Sequence, residues 1–195
     1  FEWRGKYFNY DRVLIWPRPL QQPHPPIVFP ADSDDGLAIA VRRSVPTGTA
    51  YRSLKRSKAL ADRFRTLAAA QGWTPTPEDC LFVRHVYVGE SNERARREAE
   101  PHLDYFWQKL LSYHKGSMKL MGQSPPPRPA VVQSAEDIPF YEFDFDLCQK
   151  EGITIVGDPD YVTREIQAQA RELGAGVFIG LFHFGSMPHD LACNN

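Results

Sequence analysis

The sequence predicts an α/β fold built on a parallel sheet, and three observations predict it. Strand-like and helix-like stretches alternate along the chain, the order that parallel sheets require. The run between Gly176 and Gly185 carries Phe178, Ile179, Leu181, Phe182 and Phe184. It is too short and too bulky for anything but a strand buried on both faces. That strand leads straight into a helix start, MPHDLA. With 195 residues, 42% of them hydrophobic, the chain can bury one sizeable core, and a single domain over 1–195 is expected.

The elements follow in order. FEWRGKYFNYDRVLIWPRPLQQPHPP alternates aromatic and polar residues and then turns proline-rich, which reads as a short hairpin and an extended lead-in. Ile27-Val28-Phe29 is a short strand. Asp32-Ser33-Asp34-Asp35 then supplies cap and first-turn residues for a helix with Leu37, Ala40, Val41 and Ser44 at helical spacing. From Tyr51 to Gln71, Leu60, Phe64, Leu67 and Ala68 share a face, and Gly72 stops the helix.

CLFVRHVYVG is a strand, and SNERARREAEPHLDYFWQKLL a charged helix expected to break at Pro101. Residues 112–151 lose periodicity and read as an irregular insertion, functional or mobile. Ile153-Thr154-Ile155-Val156 is a short strand. Asp158-Pro159 caps a helix bearing Val162, Ile166, Ala170 and Leu173, and a Gly174-Ala175-Gly176 turn delivers the last strand.

Composition narrows the function. A formal net charge of −1 offers no basic field for nucleic acid or an anionic membrane, so a small molecule is the expected partner. Cys80, Cys148 and Cys193 have neither disulfide nor zinc spacing, which fits a reducing, cytoplasmic setting. No apolar stretch approaches the roughly 20 residues of a membrane span, and no secretory leader opens the sequence, although it begins at Phe1 rather than Met.

GxGxxG and GxxxxGK[ST] are both absent. The corner PADSDDG is the best anion-site candidate, because a helix start offers free N–H groups and Ser33 a hydroxyl. From spacing alone the simpler reading is that Ser33 or Asp32 caps the helix, with Asp34 and Asp35 as first-turn dipole partners, and the neighbouring carboxylates oppose a phosphate. Arg84 and His85 lie mid-strand, so only one of them can face a pocket; the alternatives are a snorkelling arginine and a core histidine. His183 sits near the C-terminal end of the last strand, the functional end of parallel sheets.

IPFYEFDFD reads as a pocket lid or as a pinned loop. Asp144 and Asp146 can share one face there as an acid/base pair, but without a third ligand for a metal. PPPRP is a rigid loop or a polyproline ligand.

GKYFNYDRVLIWPRPLQQPHPPIVFPADS, RHVYVGESNERARREA, GDPDYVTREIQAQARELGAG and FHFGSMPHDLA, in this order and spacing, resemble the bacterial luciferase-like monooxygenases. The resemblance covers most of the chain and is weakest in the middle loop. It implies a (β/α)8 TIM barrel that uses reduced FMN and O2 to oxygenate a small organic substrate, with a separate flavin reductase. A homo-oligomer is implied at full length. The fold class expected is therefore a partial barrel of about strands 5–8, with IVFPA as the fifth strand and VFIGLFHFG as the eighth. The catalytic residues, and the first four strands, would lie before Phe1, and the eighth helix would be cut after Asn195.

On that likeness Ala31, Asp32 and Ser33 bind the flavin phosphate, with the charge of Asp34 and Asp35 compensated by an arginine from the missing half or by Arg42 or Arg43. Arg84, His85 and His183 shape the ring or substrate pocket. No metal site is implied. A deazaflavin-dependent oxidoreductase of the same superfamily and a non-catalytic flavin-binding relative are the alternatives. The isolated piece is expected not to turn over and to expose sheet edges.

Overall fold

The computed structural model describes residues 1–110, 119–122, 124, 134, 143–193 and 195. Much of the irregular 112–151 stretch, PPPRP included, lies outside the described residues. The predicted opening hairpin is present: β1 (Trp3–Arg4) pairs antiparallel with β2 (Asn9–Tyr10), Trp3 opposite Tyr10. Its aromatic residues and those that follow, including Trp3, Tyr7, Phe8 and Trp16, stay exposed.

Four parallel strands make the sheet: β3 (Thr47–Ala50), β4 (Cys80–Val88), β5 (Thr154–Gly157) and β6 (Val177–Leu181). The long strand β4 organises the rest. Val83 is paired to both Ala50 and Ile179, and His85 to both Thr154 and Leu181. A strand has two edges, so β3 and β5 must follow each other along one and β6 must take the other. Beyond β6, the Asn195 side chain continues that second edge, accepting from Val88 N at 2.8 Å and donating to Val86 O at 3.1 Å.

The sequence reading did not anticipate β3. TGTA has no bulky apolar residue to announce it, and the reason lies in the packing: a Cβ at position 48 would stand 2.2 Å from the Leu81 carbonyl oxygen. The predicted strand at Ile27–Phe29 falls short of a regular ladder. Phe29 N and Ala31 N donate to Pro46 O and Gly48 O at 2.9 and 3.3 Å, while Pro30 has no N–H to give.

The helices are α1 (Asp34–Arg43), α2 (Leu54–Ala70), α3 (Asn92–Tyr105), α4 (Phe145–Lys150), α5 (Pro159–Leu173) and α6 (His189–Cys193). Their starts follow the expected chemistry. Ser33, Ser53, Ser91, Asp144 and Asp158 each accept a backbone N–H of the first turn. The predicted faces pack: Leu37, Ala40 and Val41 of α1 meet Leu60, Phe64 and Ala68 of α2 in one core cluster. Phe64 alone, wholly buried, is worth on the order of 2–3 kcal/mol.

Two expectations are corrected. Helix α3 runs through Pro101 instead of breaking. Pro101 leaves the carbonyl of Arg97 without a partner, but Arg97 is on the exposed side, and buried Ala95, Ala99 and Leu103 hold the helix on both sides. Only at Phe106–Leu110 does the winding widen to a π-helical turn. The last strand is not buried on both faces either: Ile179 and Phe182 are 42% and 44% exposed. Ile179 is level with Val83, on the face of the sheet that α2 and α5 leave uncovered.

Alternation along β4 sorts the interior. Phe82, Arg84 and Val86 point to α2 and α5, where Val86 packs on Val162. His85 and Tyr87 point the other way, towards α3 and the aromatic residues around it. Among the described residues no helix is long and apolar enough to cross a membrane.

Candidate functional site

The first candidate region is the corner at Ala31, Asp32 and Ser33. Ala31 is the last residue held to β3. Ser33 Oγ then accepts Gly36 N at 3.2 Å, so the capping role is realised, and its own hydroxyl proton remains to donate outward. Asp32 draws in two cations: its carboxylate is paired with Arg52, and Arg56 Nε lies 3.8 Å away. Arg56 Nη2 also reaches the Asp32 carbonyl at 3.5 Å. Asp34 is held by Arg63 at 2.8 Å, which keeps its carboxyl below the usual range.

Within this chain, compensating charge is expected from Arg42 or Arg43. Both lie instead in the last turn of α1, at the opposite end of the helix. The cations at the corner are Arg52, Arg56 and Arg63, brought there by packing α2 on α1. Nothing in the local sequence could show this, because their partners are 20 to 29 residues distant.

The second region lies around the middle of β4, at Arg84 and His85. Arg84 and His85 do face opposite sides, as alternation requires. Arg84 is wholly buried among helices: Nε donates to Gln169 Oε1 at 2.9 Å, Nη1 to Val83 O at 2.9 Å and Nη2 to Ser57 Oγ at 3.4 Å. Burial pulls its guanidinium down to about 10. It ties β4 to α2 and α5.

His85 is the member of the pair that faces away from α2 and α5, into the aromatic residues. Tyr51 stacks on it at 5.3 Å, Phe106 meets it edge-on at 4.6 Å and Phe184 at 5.2 Å, with Trp107 at 6.3 Å. Burial among these rings pushes the imidazole down to about 4. His183 is not part of this group. It is exposed, and Nε2 lies 3.1 Å from the Met187 carbonyl within its own turn. Its neighbour Phe184 reaches His85 instead.

Gly185 makes that possible. At φ +60° it presses its backbone on α3, where a Cβ would stand 2.0 Å from the His102 carbonyl oxygen.

The aromatic loop is described from Phe143 onward; IPFYE lies outside the described residues. Phe143 stacks on Trp107 at 6.2 Å, so this part packs onto the His85 surround. Asp144 and Asp146 do not form a pair. Asp144 caps α4, and Asp146 takes Arg96 at 2.5 and 3.2 Å, which holds its carboxyl low.

Tyr51 and Arg52 connect the two regions. One stacks on His85 and the next pairs with Asp32, so the anion corner and the aromatic group lie on either side of the same β3–α2 loop. Tyr51 holds φ +59°, a left-handed backbone that is costly for a bulky side chain and recurs at functional sites. The sequence reading placed Tyr51 inside a helix; α2 starts only at Leu54.

The sequence model of the family described as luciferase-like monooxygenase matches residues 1–176. Monooxygenase RslO1 from Streptomyces bottropensis superposes with a TM-score of 0.66 at 20% identity, over 100% of this chain and 52% of that one. The oxygenating constituent of 3,6-diketocamphane monooxygenase, from the CAM plasmid of Pseudomonas putida and in complex with FMN, aligns at TM-score 0.59 and 18% identity. There the coverage is 92% of this chain and 51% of that one.

DmoA from Hyphomicrobium sulfonivorans gives 0.58 and 19%, over 98% and 43%. This chain spans about half the length of these structures. No curated protein matches the sequence. At such identities the solved structures speak for the fold, and the family match, which covers nearly the whole chain, speaks for descent. The chain belongs to the luciferase-like monooxygenase family.

Proposed function

We propose that this chain serves a flavin-dependent monooxygenase, in which reduced FMN and O2 oxygenate a small organic substrate. One observation carries the reading. Two guanidiniums, a hydroxyl and the start of a ten-residue helix converge at Asp32–Ser33, one loop away from an aromatic group. The donor set fits a phosphomonoester: Asp32 already acts as the anion that Arg52 and Arg56 seek, and a phosphate can take its place. Ser33 Oγ–H and the free amides of the first α1 turn complete the cradle, and Ala31 fixes where it begins.

When bound, reduced FMN supplies the electrons that activate O2. The aromatic rings beside the corner keep water from the reacting end. A separate flavin reductase and a homo-oligomeric assembly at full length belong to the same proposal. So does the partial barrel, in which residues 27–31, β3, β4 and β6 are the fifth to eighth strands. Their side-by-side order supports it, with backbone bonds from 27–31 to β3 and β4 flanked by β3 and β6.

The test compares FMN with riboflavin, which lacks the phosphate, by equilibrium binding. FMN should bind at least tenfold tighter, and Arg52→Ala combined with Arg56→Ala should abolish the difference. Equal binding of the two flavins to the unaltered chain refutes the phosphate corner. Oxygen consumption by the full-length protein with reduced FMN, against reduced deazaflavin, decides the chemistry: turnover with deazaflavin alone assigns hydride transfer instead.

A further inference from the structure

His85 is wholly buried, and among the described residues neither ring nitrogen has a hydrogen-bond partner. Each orphaned polar atom carries the full cost of its lost hydration, and a leucine would fill the same room without that cost. The imidazole therefore serves something that the described residues do not themselves provide. Its surround is equally particular. Tyr51 reaches its stacking position only through a strained left-handed backbone. Phe106, the nearest ring, is only partly buried and opens the π-helical turn, where the hydrogen-bond register of α3 changes.

We propose that His85 and the rings around it bind a flat, uncharged organic molecule carrying one hydroxyl or carbonyl group, with Phe106 giving way to admit it. The chemistry sets the class. A neutral imidazole offers one N–H donor and one bare nitrogen acceptor, which match a carbonyl or a hydroxyl. Among the described residues whose rings contact His85 none is a cation, and Arg84 of the same strand faces the opposite side of the sheet, so a carboxylate is not favoured. Displacing Phe106 leaves Tyr51, Trp107 and Phe184 as walls, and flat aromatic walls favour a flat guest. The inference rests on the flavin reading in taking this face of the sheet as the substrate side, and it names the class of substrate.

Equilibrium dialysis of the 195-residue chain with 2-naphthol, naphthalene and 2-naphthoate tests it. The wild-type chain should bind 2-naphthol roughly five- to tenfold tighter than naphthalene, and 2-naphthoate no tighter than naphthalene. His85→Leu should bring the naphthol-to-naphthalene ratio close to one, His85→Gln should keep part of it, and Phe106→Ala should tighten both ligands. A ratio near one in the wild type, a ratio unchanged by His85→Leu, or preferred binding of 2-naphthoate overturns the proposal.

A 15N-histidine spectrum of the wild-type chain gives a readout that needs no leucine variant. The ring signal that His85→Gln removes should shift with 2-naphthol and not with naphthalene, and an unmoved signal again overturns the assignment. FMN and riboflavin binding on the same samples separates the two readings. A lost naphthol ratio with an intact FMN preference overturns this pocket alone, and the reverse overturns the flavin corner alone.

Discussion

Replacing His85 by leucine should flatten the acid side of this protein's stability curve. The buried imidazole stays neutral in the folded chain down to about pH 4, whereas the unfolded chain takes up a proton near pH 6.5. Between those values the unfolded state holds one more proton, so stability falls as pH falls, by about 1.4 kcal/mol per pH unit. The stabilisation is fully present above the unfolded value and is spent once pH passes below the folded one.

Relative to neutral pH, this one residue should cost the wild type about 1 kcal/mol at pH 5.5 and about 2 kcal/mol at pH 4.5. His102, whose ring burial also depresses, and the arginine-paired carboxylates Asp34 and Asp146 titrate in both proteins and cancel in the difference. Urea unfolding at about pH 7, 5.5 and 4.5 measures it. The leucine variant should match or exceed the wild type at neutral pH, because two orphaned nitrogens are gone, and its lead should grow on acidification. If both proteins lose the same stability between pH 7 and 4.5, His85 is not buried and neutral, and the account of its surround fails.

Three other substitutions probe the remaining parts. Arg84→Lys keeps a charge but cannot span Gln169, Val83 O and Ser57 together, so it should cost about 2 kcal/mol in chemical unfolding; no loss would show that the three contacts do not matter. Gly185→Ala places a Cβ against the His102 carbonyl at a left-handed backbone and should cost about 3 kcal/mol or more, seen as a lower thermal midpoint. Ser33→Asp separates capping from phosphate binding: aspartate caps as well as serine, so the melting temperature should hold while the FMN preference over riboflavin collapses. A variant that keeps both would leave Ser33 a cap and nothing more.

Much of the fold is legible along the chain because its signals are local. Ser33, Asp158-Pro159 and the spacing of Leu60, Phe64 and Ala68 are read within one or two helical turns, and the structure follows them. β4 declares itself in the same way, and alternation alone tells that Arg84 and His85 part company. β3 escapes because its defining property, the close approach of Gly48 to Leu81, belongs to a neighbour 33 positions on. Pro101 misleads because the helix it should break is held by what α3 packs against, not by its own backbone bonds.

The candidate site divides along the same line. Composition, local periodicity and capping residues determined by themselves that the chain is α/β, where its helices begin and which corner offers free amides. Which arginines reach that corner, which face of β4 receives His85, and that Phe184 rather than His183 meets it were decided only when α2 packed on α1 and Gly185 on α3. Charge pairing, burial and ring contact depend on distance in space, and residues such as Arg52 and Asp32, or Tyr51 and His85, become neighbours only in the folded chain.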